Sequence, residues 1–291
     1  MASDLVYLNG KILPRSEALV PVEDRGFVFG DGVYEVLRVV QGRFFAADFH
    51  NERLKRSLAG IRIEIPANYA PEKLNEIAAE LLRANSQLDG EATVYMQVTR
   101  GVATRAHAFP SPAVAPTVYI STAAFKPMTR LQEDGTLAVT HPDLRWARCD
   151  YKTINLLPNI LASQYAAEQG ATEAILIRDD EITEGAKTNV FGVLDGALRT
   201  HPCNSHILPG ITRSVVETLA SGLNVAIDHT PIKKSDIPKL QELFISGTTT
   251  DVMPVVALDG KPVGDGKPGP ITRRLQKILN ESIYSSAPLG D

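Results

Sequence analysis

The sequence predicts an α+β protein of two domains, and three observations carry that prediction. Asn9-Gly10 and Gln41-Gly42 each separate short runs rich in β-branched and aliphatic residues, the pattern of antiparallel hairpins. Other stretches have a helical apolar period, clearest from Pro71 to Ser86, where Leu74, Ile77, Ala78, Leu81 and Leu82 fall on one face. A polar stretch holding Pro and Gly, Lys126 to Gly135, separates two halves that each mix strand and helix signals. The expected division is a small N-terminal domain over 1–126 and a larger C-terminal domain over 127–291. Each is then within reach of the roughly 100–150 residues that one core commonly serves.

In chain order, Leu5 to Leu8 and Lys11 to Leu13 flank Asn9-Gly10, a pair that tolerates the positive φ angles of a type I′ turn. Val33 to Val40 alternates and turns at Gln41-Gly42 into Arg43-Phe-Phe45, a second hairpin, and Phe49 to Ala59 reads as a helix. Ala92 to Thr99 and Thr117 to Thr122 return to strand character, which completes helices against an antiparallel sheet. Thr136 to Thr140 starts a second sheet, and Leu156 to Gln169 is a helix closed by Gly170 at its C′ position. Thr172 to Ile177 is a strand, and Asn189 to Leu194, Asp195-Gly196 and Ala197 to Thr200 form a hairpin. Glu184 and Lys187 fall on a loop between those strands. Gly210-Ile211 opens a helix from Thr212 to Ala220. Glu242 to Ser246 and Val252 to Leu258 are strands, the latter ending at Asp259-Gly260, and a helix from Ile271 to Ile283 carries Ile271, Leu275, Ile278, Leu279 and Ile283 on one face.

Composition excludes several function classes. A net charge of −4 with no clustered Lys and Arg argues against a general nucleic-acid or anionic-membrane surface. No apolar run approaches the ~20 residues of a membrane span, and the N-terminus lacks the basic and apolar regions of a secretion signal, so the expected location is cytoplasmic. Cys149 and Cys203 have no Cys-x-x-Cys spacing and read as reduced thiols. His141, His201, His206 and His229 lack metal-ligand spacing, so no metal is expected. Gly30-Asp-Gly32 is followed by Glu35 and a strand, which rules out a dinucleotide loop, and no Gly-x-Ser-x-Gly elbow supports a serine hydrolase.

The chemistry concentrates in Arg148-Cys-Asp-Tyr-Lys152-Thr-Ile-Asn-Leu-Leu157 and Thr183-Glu184-Gly-Ala-Lys-Thr-Asn-Val190. Lys152 follows an Asp and a Tyr and stands just before a helix, so a flexible amine sits at the mouth of a packed element. Partial burial lowers an amine pKa, and the neutral amine attacks carbonyls. Lys187 is a rival by residue type alone. Read alone, Tyr34 is a strand residue, Arg105 and His107 are solvated loop residues, and Arg53 is a surface helix charge beside Lys55 and Arg56. Gly210 to Thr212 is either an ordinary helix cap or an anion site, and Thr248-Thr-Thr250 either a turn or a second set of donors for that anion.

Asp150 to Asn189 together with Leu208-Pro-Gly-Ile-Thr-Arg213 resembles the fold-type IV pyridoxal-phosphate transaminases, and among them most the bacterial D-amino acid aminotransferases. The match runs from Asp24-Arg-Gly-Phe-Val-Phe-Gly-Asp-Gly-Val-Tyr-Glu35 to Gly266-Lys267. The resemblance implies a small N-terminal α/β domain and a larger, mixed, β-barrel-like C-terminal domain that binds pyridoxal 5′-phosphate. It implies that Lys152 is the Schiff-base anchor and general base, with Glu184 on the pyridine nitrogen. Arg53, Leu208, Ile211, Thr212 and Thr248 are then also cofactor residues, four of them, without Leu208, on the phosphate. By the same resemblance Tyr34, Arg105 and His107 hold the substrate α-carboxylate, and a bidentate guanidinium, an imidazole and a phenol suit that group. The relatives carry small hydroxyl residues where this chain has Ala186 and Lys187, and a Ser where it has Gly247.

The activity so implied is ping-pong transfer of an amino group from a D-amino acid such as D-alanine to a 2-oxo acid such as 2-oxoglutarate. The assembly implied is a homodimer in which the Arg105-x-His107 loop serves the neighbouring subunit. Other functions share Lys152 and Glu184: a branched-chain L-amino acid aminotransferase, an R-selective amine transaminase and an aminodeoxychorismate lyase. A non-catalytic cofactor-binding protein is the remaining alternative.

Overall fold

The structure is a computed structural model and describes residues 4–285. The chain divides into two compact units, Met1–Lys126 with Tyr151–Asn155, and Pro127–Asp150 with Leu156–Asp291. The five residues that include Lys152 therefore pack with the first unit, whereas a boundary drawn once, at 126/127, assigns them to the second.

In the first unit β1 (Leu5–Leu8) and β2 (Lys11–Pro14) form the opening hairpin, with Asn9 at φ 48° and Gly10 at φ 94°, the left-handed pair the turn needs. A short helix α1 (Arg25–Phe29) follows, capped by the Asp24 carboxylate on the Gly26 N–H at 2.8 Å. Then come β3 (Gly32–Val40), β4 (Arg43–Phe44), α2 (Ala47–Gly60), α3 (Pro71–Ala84), β5 (Glu91–Thr99) and β6 (Thr117–Ala124). The six strands form one antiparallel sheet in the order β2-β1-β6-β5-β3-β4. Val33, Leu37 and Val39 share one face of β3 and pack with Leu54 and Leu58 of α2 and Leu74, Ala78, Leu81 and Leu82 of α3. Tyr34 lies on the opposite, half-buried face.

Tyr151–Asn155 runs beside the start of β3. The Tyr34 N–H donates to the Lys152 carbonyl at 3.0 Å, and the Ile154 N–H to the Gly32 carbonyl at 3.1 Å. Tyr151 fills the place where a side chain at Gly60 would stand, its ring carbons 2.3 Å from an ideal Cβ there, so α2 must end in glycine for this segment to dock.

The second unit opens with α4 (Thr129–Asp134) inside the stretch expected to be a linker; Gln132 of this helix donates to the Asp251 carboxylate at 3.1 Å, which ties it into the unit. It continues with β7 (Thr136–Pro142), α5 (Leu157–Glu168), β8 (Glu173–Arg178), β9 (Glu181–Gly185), β10 (Asn189–Leu194), β11 (Ala197–Arg199), α6 (Ile211–Gly222), β12 (Ile227–Asp228), β13 (Glu242–Gly247), β14 (Asp251–Leu258), β15 (Lys261–Pro262) and α7 (Pro270–Tyr284). The nine strands run β12-β11-β10-β13-β14-β7-β8-β9, with β15 beside β14, and both parallel and antiparallel pairs occur. β9 ends this order, yet only Ala186 to Thr188 separate it from β10 near the other end. So short a connection forces the sheet to roll up on itself, with the core (Ile175, Ile182, Val190, Ile245, Met253, Val255) inside the curl. The expected mixed, barrel-like second domain has this form. No helix among the described residues is long and apolar enough to cross a membrane.

Candidate active site

Lys152 sits half-buried with its Nζ 4.0 Å from the centre of the Tyr34 ring. Its backbone N–H donates to the Ser57 hydroxyl on α2 at 3.1 Å. Among the described residues no hydrogen bond or ion pair engages the amine. An amine held over a ring face, with its nitrogen unengaged, is available as a nucleophile or a proton carrier.

Beneath this segment lies a buried charge cluster. Arg53 is not the surface charge that its basic neighbours suggest: it is 4% exposed, and it grips Glu35 of β3 through Nε at 2.7 Å and Nη2 at 2.8 Å. His50 Nδ1 reaches the same carboxylate at 2.7 Å. Burial opposes charge on Glu35, but Arg53 and His50 outweigh it and hold the carboxyl well below its usual range. Burial also pushes the His50 imidazole below its ordinary value; since the carboxylate only accepts, Nδ1 carries the proton.

In the second unit Glu184 lies within strand β9 rather than on a loop, and it is 4% exposed. Three donors surround its carboxylate: an Arg145 Nη1 hydrogen bond, Asn189 Nδ2 at 2.9 Å, and the Leu208 N–H at 3.1 and 3.0 Å to the two oxygens. Burial pushes the Glu184 carboxyl up to about 7, against the pull of Arg145 and Leu208, which favour the ionised form. Asn189 also donates to the Leu208 carbonyl at 2.9 Å, so it fixes the loop that feeds α6. At Gly210, the N-cap of α6, a side chain would meet Asn189 Oδ1 at 2.0 Å; only glycine lets the helix start this close to Glu184's partner.

The first turn of α6 carries no side-chain cap, so its leading N–H groups, at Ile211 and Thr212, are available to an anion. Thr212 is therefore the second helical residue and not the cap. Ser246, next to the last residue of β13, pairs with Asn189, so Asn189 meets Glu184, the Leu208 carbonyl and β13, and Thr248 follows Ser246 two residues later in the turn after that strand. Lys187 is exposed in the turn between β9 and β10. At Gly247 a Cβ would have 3.6 Å of clearance to its nearest neighbour, Thr250 Oγ1, so a Ser would fit there.

Within the first unit, Tyr34 stacks on Tyr95 with ring centres 5.6 Å apart. Arg105 and His107 are exposed on their loop and meet at Phe29, the guanidinium 5.3 Å and the imidazole 5.7 Å from that ring. They form a pair with each other, at Phe29, while Tyr34 pairs with Lys152. Two residues escaped the sequence reading altogether. Asp143 and Arg145 are buried beside Glu184, and Arg145 binds both carboxylates. The one signal for them was an Asp-x-Arg a few residues before Lys152.

The chain is 42% identical over 281 residues to a D-alanine aminotransferase of Staphylococcus haemolyticus, covering 96% of this chain and 98% of that one. It is 40% identical over 280 residues to a D-alanine aminotransferase of Bacillus licheniformis, covering 96% and 97%. Among solved structures it resembles the branched-chain amino acid aminotransferase from Escherichia coli, with a TM-score of 0.84 at 27% identity and coverage of 96% of this chain and 93% of that one. The family model for class IV amino-transferases matches residues 32–258, and the chain belongs to that family.

Proposed function

We propose that this chain transfers the amino group of a D-amino acid such as D-alanine to a 2-oxo acid such as 2-oxoglutarate, using Lys152 as its catalytic base. The observation that carries the reading is the Lys152 amine, 4.0 Å from the Tyr34 ring and engaged by no acceptor among the described residues. The names of the two curated relatives supply the D-amino acid.

The cofactor is pyridoxal 5′-phosphate, which when bound supplies an aldehyde to take the amino group and a pyridinium ring to spread the electron pair left by the α-proton. The residues present fit it. Glu184 is a buried acceptor ringed by donors, matched to a ring N–H, and the uncapped first turn of α6 is matched to a phosphate. Glu184 would hold the pyridine nitrogen protonated, and Leu208 would contribute through the carboxylate its N–H fixes. Arg53, the Ile211 N–H, Thr212 and Thr248 would hold the phosphate. Lys152 would anchor the cofactor, remove the proton at the substrate Cα and return it at the cofactor's C4′.

Tyr34, Arg105 and His107 would hold the substrate carboxylate. Fixing carboxylate and amine together decides which enantiomer points its hydrogen at Lys152. Exposure of Arg105 and His107 in the single chain supports a homodimer in which this pair serves the neighbouring subunit's site. A cytoplasmic location accompanies the reading.

The test is product formation by the purified protein supplied with 2-oxoglutarate and either D-alanine or L-leucine. Pyruvate and D-glutamate from D-alanine, with no turnover of L-leucine, is the expected result. Turnover of L-leucine alone would move the substrate to the branched-chain class, and turnover of neither would contradict the transaminase reading.

A further inference from the structure

The proposed chemistry needs Glu184 ionised, although burial pushes its carboxyl up. A carboxylate this buried is costly to charge, and its partner Arg145 is itself buried, with 6% of its side chain exposed. Arg145 is held in turn by an elaborate frame. Its Nε and Nη2 grip Asp143 Oδ1 and Oδ2, each at 2.8 Å, a bidentate pairing that leaves Nη1 for Glu184. Nη2 also donates to the His206 carbonyl at 3.0 Å. Asp143, whose side chain is fully buried, is satisfied further by the Thr183 hydroxyl at 2.9 Å and by Arg178, 3.2 Å away. Arg178 then donates to the Arg145 carbonyl at 3.0 Å, which closes the loop.

Two carboxylates and two guanidinium groups so arranged are neutral as a set. Arg145 cannot turn away from Glu184 without giving up Asp143, and Thr183 couples the frame to the strand that carries Glu184.

We infer that Arg145, locked by Asp143 and Arg178, is a positioning residue that keeps Glu184 anionic and aimed, and so sets the pH range over which this chain holds a protonated pyridine ring. The inference rests on the aminotransferase reading above. It follows from charge alone: without Arg145, the buried Glu184 has the Asp143 carboxylate nearby and no opposite charge, takes up a proton, and can no longer attract a ring N–H. Asn189 and Leu208 would still place the carboxyl but would not charge it.

The test is the dissociation constant of pyridoxal 5′-phosphate for the apoprotein, measured from pH 5 to pH 9 by visible absorbance, for wild type, Arg145→Met, Arg145→Lys, Glu184→Gln and the double variant Arg145→Met/Glu184→Gln. Removing an opposite charge at this range moves a carboxyl pKa by about 1 to 3 pH units. The acid-side loss of affinity in Arg145→Met should therefore begin about 1 to 3 units higher than in wild type. Arg145→Lys, which keeps the charge and loses the fork, should bind more weakly with its midpoint near that of wild type. Glu184→Gln should lack the inflection, and adding Arg145→Met to it should change nothing further, because Arg145 acts through Glu184. Equal weakening of Arg145→Met at every pH, or a full additive loss in the double variant, would overturn the inference and leave Arg145 a structural residue. Should Arg145→Met fail to fold, an Arg145→Lys midpoint displaced upward by about 1 unit or more, the lower end of the shift expected for a lost charge, would overturn it as well. Wild-type protein that binds no pyridoxal 5′-phosphate would overturn the aminotransferase reading, and this inference with it; wild-type binding with an unmoved Arg145→Met midpoint would overturn this inference alone.

Discussion

Arg53 and Glu35 form a two-point ion pair in the interior of the first unit, one on α2 and the other on β3, at 2.7 and 2.8 Å with 4% and 1% of their side chains exposed. The pair joins the helix to the strand that also carries Tyr34 and borders Lys152.

Breaking this pair from the carboxylate side should be expensive. Glu35→Ala leaves a buried guanidinium without its counter-charge, a change that commonly costs about 3–5 kcal/mol. The urea midpoint should fall accordingly, with the slope unchanged. A variant within ~0.5 kcal/mol of wild type, the range of ordinary surface substitutions, would show that the pair contributes little.

Acid should destabilise the protein through three carboxylates at once. Glu35 is held low by Arg53 and His50, Asp31 by Arg100 and Arg25, and Asp143 by Arg145, each against a burial cost. A depressed folded-state pKa contributes stability that is complete above the unfolded value, 4.5 for Glu and 3.8 for Asp, and disappears as pH falls through the folded value. Glu184, pushed up to about 7, has the opposite sign and takes stability away as pH rises from 4.5 to 7. Urea unfolding followed from pH 3 to pH 8 should show a steep loss below pH 4, while between about 5 and 6.5 the Glu184 decline is opposed by His50, whose depressed value adds stability as pH rises. A curve flat below pH 4 would contradict the assignment.

Gly210→Ala places a methyl group where Asn189 Oδ1 stands, at 2.0 Å. Either Asn189 or the start of α6 must move, and both contact the proposed cofactor residues. Affinity for pyridoxal 5′-phosphate should fall at least tenfold, about 1.4 kcal/mol, in equilibrium titration of the apoprotein, while Gly247→Ser, for which there is room, should leave it within twofold. Equal affinities for Gly210→Ala and wild type would show that the approach is not used.

Arg105→Ala should raise the KM for D-alanine by tenfold or more with a smaller change in kcat, because a guanidinium removed from a carboxylate costs uniform binding. Unchanged D-alanine kinetics would remove Arg105 from the substrate site.

Local pattern was enough for the hairpin at Asn9-Gly10, where backbone sterics choose the residues, and for α3, whose apolar stripe repeats with the helical period. It failed where the partner is distant. Arg53 looks solvated beside Lys55 and Arg56, but Glu35 lies on a strand of the same unit and pulls it inward. Glu184 sits among polar and small residues, Thr183, Gly185, Ala186 and Lys187, which suggest a loop; strand β9 exists because β8 pairs with it. Tyr151–Asn155 joins the first unit through hydrogen bonds to Gly32 and Tyr34, more than a hundred positions earlier. Of the candidate site, Lys152 and Glu184 stood out through resemblance. Asp143 and Arg145 did not, since a surface Asp-x-Arg looks the same in sequence as a buried one.

The central claim is that Lys152 runs amino transfer on D-amino acids, and the visible spectrum of the purified protein during addition of one amino acid without any oxo acid tests it most directly. The account predicts that D-alanine abolishes the cofactor's long-wavelength band, that L-leucine leaves it intact, and that Lys152→Ala shows neither the band nor the response. A band lost with L-leucine alone, or a Lys152→Ala protein that turns over normally, would contradict it.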